Sequence, residues 1–228
     1  MQPTYLPWAG YFNLMAQVDV FVYLDDVQFE RQSWQTRNRI LLQGREHLLV
    51  VPTARLALDT RIDAARVADD PRWRSDHWKT LVAAYGKAAH GATLLELLRP
   101  FYEGPAPALL AQFNEGLVTA IAGAIGLRTP TLKSSSLACT GKRSEHVALI
   151  CAALGCNEYL SPQGARQYLE QDGFADNSGV GLRFQNYEPP PYAQRGAPAF
   201  VPRLSVVDVL ANLGVEATLQ YVRGNSEP

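Results

Sequence analysis

The stretch VDVFVYLDDVQFERQSWQTRNRI, residues 18–40, sets the terms for the rest of the chain. Residues 18–24 form a short run of β-branched and aromatic side chains, the pattern of a buried strand. Asp25 and Asp26 end the run, and Gln28, Arg31, Gln32, Trp34, Gln35, Arg37 and Asn38 come after them within one loop. Open α/β sheets build ligand crevices in this way, with polar groups delivered at the carboxyl ends of strands. A bland alternative is that the two carboxylates only break the strand and cap the next turn. Successive strand residues point to opposite faces. One acid is therefore expected in the site, Asp25, and the other in a structural role, Asp26. Trp34 reads as a stacking wall and Arg37 as an anion contact.

With 228 residues and a formal charge of −1, the chain can bury a substantial core and lacks the basic excess of a dedicated nucleic-acid binder. Cys139, Cys151 and Cys156 fit no metal or redox spacing. Their odd number, with no secretion-type start in MQPTYLPW, points to a reducing, cytoplasmic setting. No apolar run reaches the roughly 18 residues of a membrane span.

Residues 1–17 predict a loop and then a helix from about Pro7 to Gly10 onward. Gln2, Tyr5, Trp8 and Tyr11 stand beside that helix start, where anions bind well; core packing is the competing role for the aromatics. A strand would ordinarily precede such a loop, so either the true start lies upstream or the fold lacks that strand. Two short strands around Gln43-Gly44 predict a hairpin over residues 40–52. A strand over residues 62–67 is a fainter expectation. Helices are predicted over residues 73–85, 93–102 and 108–125, so residues 70–126 read as a helical insertion or subdomain within a single domain. A strand at 130–133 empties into Ser134, Ser135 and Ser136.

Lys142 and Arg143 precede a helix over residues 144–154, placing cations where an anion is also favoured. A strand at 157–160, a polar loop and a helix through Gln171 form a second crevice unit. One more strand is expected over residues 180–187, then a helix from Ser205 to Gly214. Ser205 and Asp208 match a capping box in form. The strands near 18–24, 130–133 and 157–160 are expected side by side in a mainly parallel sheet.

No nucleophile elbow, phosphate-binding glycine loop or metalloprotease motif is present, and the four histidines lack metal-ligand spacing. No metal site is expected, and the sequence leaves any cofactor open. Asp25 is the candidate catalytic residue, as a general base or as a holder of Mg²⁺ beside a phosphate. Gln2, Tyr5, Asp26, Gln28, Trp34, Arg37, Asn38, Lys142 and Arg143 are the candidate substrate contacts.

Three blocks carry a family likeness: Gln2-Pro3-x-Tyr5-Leu6-Pro7-x-x-Gly10-Tyr11-Phe12, Leu24-Asp25-Asp26-Val27-Gln28-Phe29, and Trp34-Gln35-x-Arg37-Asn38. His77-Trp78-Lys79, Asn157-x-Tyr159, Tyr168-Leu169, Tyr192-x-Gln194 and Leu204-Ser205-x-x-Asp208-x-Leu210 continue it. Together they resemble the WbqC-like protein family over nearly the whole chain. The resemblance implies a neighbourhood in polysaccharide, O-antigen or natural-product biosynthesis rather than a defined reaction. The expected activity is a transferase acting on a small activated metabolite: acyl, aminoacyl or nucleotide-linked sugar. The alternative is a non-catalytic accessory protein that binds a ligand, a carrier protein or a pathway enzyme. A fainter likeness, in residues 18–29 and in YLSPQGARQYL, is to nucleotidylyltransferase-type Rossmann-like domains. The His-x-Gly-His loop of that superfamily corresponds here to Pro7-Trp8-Ala9-Gly10-Tyr11, with no histidine. The fold expected is therefore α/β, a mainly parallel Rossmann-like sheet with flanking helices and a helical insertion.

Overall fold

In the computed structural model, which describes residues 1–224, α1 (Ala9–Ala16) and β1 (Phe21–Tyr23) open the chain. β1 is shorter than the apolar run because its ladder to β4 (Thr131–Lys133) lasts only three residues, Phe21 with Thr131 through Tyr23 with Lys133, in parallel. The hairpin of β2 (Arg37–Leu42) and β3 (Arg45–Val50) turns at Gln43 and Gly44. Both turn residues have positive φ, 52° and 75°, the backbone that a tight two-residue turn requires.

Residues 62–67 form no strand. Ile62–Ala64 is a 3-10 turn, and isolated bridges join Thr53 to Val67 and Arg66 to Leu109. The three predicted helices come next as α2 (Arg72–Tyr85), α3 (Gly91–Glu103) and α4 (Leu110–Ala124). They bury Trp73, Leu81, Leu94, Leu98, Phe113, Leu117 and Ile121 in the main core with α1 and the hairpin. Asp70 accepts from the Arg72 amide at the start of α2 (3.0 Å).

The second half contains α5 (Arg143–Ala153), β5 (Glu158–Ser161), α6 (Arg166–Gln171), α7 (Phe174–Ser178) and β6 (Gly181–Phe184), with β5 and β6 parallel. These elements surround a second, smaller core of Val147, Cys151, Ala165, Leu169, Phe174 and Val180. The final helix, α8 (Val206–Arg223), runs well past the expected stop. Gly214, at φ 80°, kinks it instead of ending it.

Ser205 caps α8 by accepting from the Val207 amide, but the reciprocal half of a capping box does not form. The Ser205 amide donates to Arg39 O (2.8 Å), while Asp208 accepts from Tyr192 Oη (2.6 Å) and Gln194 Nε2 (3.0 Å).

The architecture is mixed α/β, with two parallel strand pairs in place of the continuous parallel sheet expected. β1 and β4 lie side by side, whereas β5 pairs with β6 and not with β1. An open groove of about 610 Å³ separates the β1 and β5 edges. Among the described residues, no helix is long and apolar enough to cross a membrane.

Candidate functional site

Two polar constellations stand out. The first closes the carboxyl ends of β1 and β4. Asp25 is 2% exposed, and its Oδ1 accepts from the Ser135 amide (2.9 Å) and from Ser134 Oγ (3.2 Å). Its Oδ2 accepts from Ser135 Oγ (2.7 Å). Ser134 Oγ also contacts Asp26 Oδ1, so one hydroxyl sits between two carboxylates with a single proton to share. Asp26 Oδ1 further contacts His146 Nε2 (3.1 Å), from the start of α5. With Nε2–H donating to Asp26, Nδ1 of His146 is left as a buried acceptor lacking a partner among the described residues. Nearby Glu115 is held up from the ordinary carboxylate range by burial, against the opposing pull of Lys133 at 2.5 Å. An imidazole oriented by a carboxylate is suited to proton transfer, although here the free nitrogen faces protein.

The second constellation is a crevice of about 660 Å³ at the amino end of α1. Trp8 precedes that helix with no side-chain cap; the Tyr11 amide donates to Trp8 O (3.0 Å), which leaves the Ala9 and Gly10 amides without an acceptor inside the helix. The Trp8 ring folds back over Gly10, where an added Cβ would lie 2.0 Å from the ring. Only glycine permits that approach. Trp34, 52% exposed, forms another wall, with the Arg39 guanidinium 5.7 Å from its ring centroid. Thr4, Asn38, Gln163, Gln185, Asn186, Arg203 and the Glu188 carboxylate add polar lining, and Arg39 is also ion-paired with Glu46 (3.0 Å). Gln185 Nε2 is fixed to Gly10 O and Asn13 Oδ1, both at 2.7 Å, so the loop after β6 is locked to α1.

Trp34 and Asn38 thus line the crevice, and Asn38 Nδ2 also holds Tyr5 O (3.1 Å). Asp25 and Asp26 lie in the acid–serine–histidine cluster. Gln2 is held within the protein: its Oε1 accepts from Gln35 (3.0 Å) and its backbone carbonyl from Tyr11 Oη (3.0 Å).

The remaining candidates are placed elsewhere. Tyr5 is fully buried, its hydroxyl bonded to His77 Nδ1 (2.9 Å) and Tyr102 Oη (2.5 Å). Gln28 holds Leu58 O (2.7 Å), and Arg37 donates to Gln32 O. Arg143 pairs with Asp172 (3.3 Å) and lies over Tyr168, while Lys142 is exposed just before α5. Neither Arg37 nor Lys142 lines the crevice. The cations that do, Arg39 and Arg203, carry no mark in the sequence, and the same is true of His146 and Gln185, whereas Gln163 comes from the polar loop of the second crevice unit. No local motif sets them apart, since they come from separate segments. A signal for His146 existed only in its place on the α5 that begins beside Lys142 and Arg143.

By its fold the chain is a mixed α/β protein, with an aromatic, arginine-bearing crevice at the amino end of α1. More narrowly, residues 2–220 match the WbqC-like protein family, and the chain belongs to that family. It is similar to "Uncharacterized protein Rv1507c" of Mycobacterium tuberculosis (strain ATCC 25618 / H37Rv), with 30% identity over 226 residues, covering 98% of this chain and 97% of the relative. No solved structure matches the chain.

Proposed function

We propose that the protein binds a small anionic metabolite in the crevice at the amino end of α1 and acts on it as a transferase in polysaccharide or natural-product biosynthesis. The observation that carries this reading is the meeting of a half-exposed Trp34, capped by Arg39, with an uncapped helix start in a cavity of ligand size. Trp34 would stack on a flat group, while Arg39, Arg203 and the α1 amides meet the charge. Acyl, aminoacyl and nucleotide-linked sugar substrates all carry such a combination when activated through a nucleotide. A thermal-shift and calorimetric screen across nucleotides, sugar nucleotides and acyl thioesters tests it. A binder should raise the melting temperature through the folded state alone. Trp34→Ala should weaken that binder by about tenfold or more, a loss of about 1–3 kcal/mol of stacking, with little effect on the ligand-free melt. An unchanged affinity in Trp34→Ala would remove the crevice from the proposal.

The non-catalytic accessory reading draws on a different observation: Asp25 is 2% exposed and both its oxygens are engaged by Ser134 and Ser135. Asp25→Asn separates the two. A structural Asp25 predicts a loss of about 1–3 kcal/mol of stability as an amide donor meets hydroxyl donors, with ligand affinity retained. A catalytic Asp25 predicts lost turnover with the crevice still binding.

A further inference from the structure

Residues 185–204 contain no helix or strand, a run longer than the roughly 12–15 residues that compact domains ordinarily leave irregular without a functional reason. The segment meets the crevice at both ends: Asn186, Tyr187 and Glu188 line it from one, and Arg203 from the other. Between those ends the chain lies along α8. The Tyr187 hydroxyl donates to Tyr221 O (2.8 Å), and the Arg195 amide donates to Asn212 Oδ1 (3.0 Å). The deepest anchor is Asp208, which is fully buried and accepts from Tyr192 Oη (2.6 Å) and Gln194 Nε2 (3.0 Å). Two blocks that stand out in the sequence, Tyr192-x-Gln194 and Leu204-Ser205-x-x-Asp208, thus meet in one buried contact.

Gln194 carries that anchor across the segment. Its Nε2 also donates to Val201 O (2.9 Å), and its Oε1 accepts from the Val201 amide (2.7 Å). One side-chain amide therefore fixes both backbone groups of Val201, two residues before Arg203. On the other side of Arg203, the Ser205 amide donates to Arg39 O (2.8 Å). Arg203 is bracketed by these ties and has φ 57°, a left-handed conformation that a non-glycine residue holds only where its surroundings impose it. Arg39 is engaged by Glu46, whereas the Arg203 guanidinium forms no ion pair among the described residues. Glu188 lines the same crevice and is likewise without an ion pair among the described residues, so no carboxylate directly neutralises Arg203. Burial raises the Asp208 carboxyl, against the opposing donors Tyr192, Gln194 and Tyr85. For packing alone, a carboxylate is a costly anchor at such a place.

Resting on the crevice at the amino end of α1 as the ligand site, we propose that Asp208 and Gln194 are positioning residues for Arg203, and that Arg203 so held is the principal contact for the ligand's anionic group. The chain of contacts runs from Asp208 to the Gln194 amide, from there to Val201, and along two residues of backbone to Arg203. Neither Asp208 nor Gln194 lines the crevice, so each acts through the arginine. A guanidinium on a fixed backbone loses less freedom on meeting a phosphate or carboxylate than one on a mobile loop.

Calorimetric titration of the full chain with inorganic pyrophosphate is the test, because that probe carries charge and no flat group to stack. The unaltered chain should bind it, and Arg203→Gln should weaken binding by about tenfold or more. Gln194→Ala should weaken it by about threefold or more. In the Arg203→Gln background, Gln194→Ala should have no further effect, because residues that act through one contact are not additive. A merely structural Gln194 would instead lower affinity equally in both backgrounds. Asp208→Ala should show the same dependence on Arg203, and the Gln194 cycle decides alone if that variant does not fold. Absence of pyrophosphate binding at millimolar concentration, an unchanged affinity in Arg203→Gln, or an equal penalty for Gln194→Ala in both backgrounds would overturn the proposal. An unchanged nucleotide affinity in Trp34→Ala bears on the stacking instead, so the two failures are distinct.

Discussion

Buried polar side chains are where single residues set this protein's response to its surroundings. His77 of α2 accepts or shares a proton with Tyr5 (2.9 Å), whose hydroxyl meets Tyr102 at 2.5 Å. Trp73 and Tyr102 flank its ring. Burial lowers His77 to about 4 from 6.5; Val50 and Asp76 oppose the shift and His47 assists it. As pH falls, the unfolded chain therefore takes up the proton first. The stability that His77 contributes in its neutral form is complete above about 6.5 and is lost as pH falls toward about 4. The loss should be on the order of 2 kcal/mol across that window. Denaturant titrations at pH 7 and pH 4.5 check this: His77→Phe should be less stable at pH 7 and show a smaller fall between the two. An equal fall in both proteins would place the acid sensitivity elsewhere.

At the scale of elements, the local signals of the chain were legible wherever the backbone itself sets the outcome. The Gln43-Gly44 turn, the start of α2 at Asp70 and the helices over residues 72–124 result from turn chemistry, capping and 3.6-residue periodicity. Misses occur where distant packing prevails. Gly214 resembles a helix terminus, yet the chain beyond it continues as helix, burying Thr218 and Val222. Its positive φ places its backbone against His90, with an added Cβ 2.7 Å from the ring. Gly214→Ala should therefore cost about 2 kcal/mol, part strain and part clash. Adding His90→Ala should recover the clash but leave about 1 kcal/mol of strain, measurable as incomplete rescue in urea melts. The lining of the candidate crevice was legible only in part. Trp34 and Asn38, from the dense early loop, reach the crevice, whereas Arg39, Gln163, Gln185 and Arg203 gather there only through tertiary folding.

At the scale of the whole molecule, two cores of unequal size are tied by a short set of polar contacts. The smaller core, under α5, α6, α7, β5 and β6, is centred on Leu169 and Phe174. Its links to the main body include Gln185 to Gly10 O and Asn13 Oδ1, Arg183 to Gln17 (3.1 Å), and His146 to Asp26. Asn13 in turn holds Val222 O (2.8 Å), so Gln185 reaches both α1 and the end of α8 through one buried amide. Elements attached by few buried contacts open at lower free energy than the rest. Gln185→Ala removes two donated bonds and leaves Gly10 O and Asn13 Oδ1 without that donor, a cost of about 1–3 kcal/mol. That cost should fall on the opening of the small unit. Hydrogen exchange should accelerate about tenfold or more in β5, β6, α6 and α7, while α3 and α4 remain at their original rates. Because the crevice is walled by both units, ligand affinity should fall alongside. Uniform acceleration across both cores would instead mean that the chain opens as one cooperative body, and Gln185 would then be an ordinary core contact.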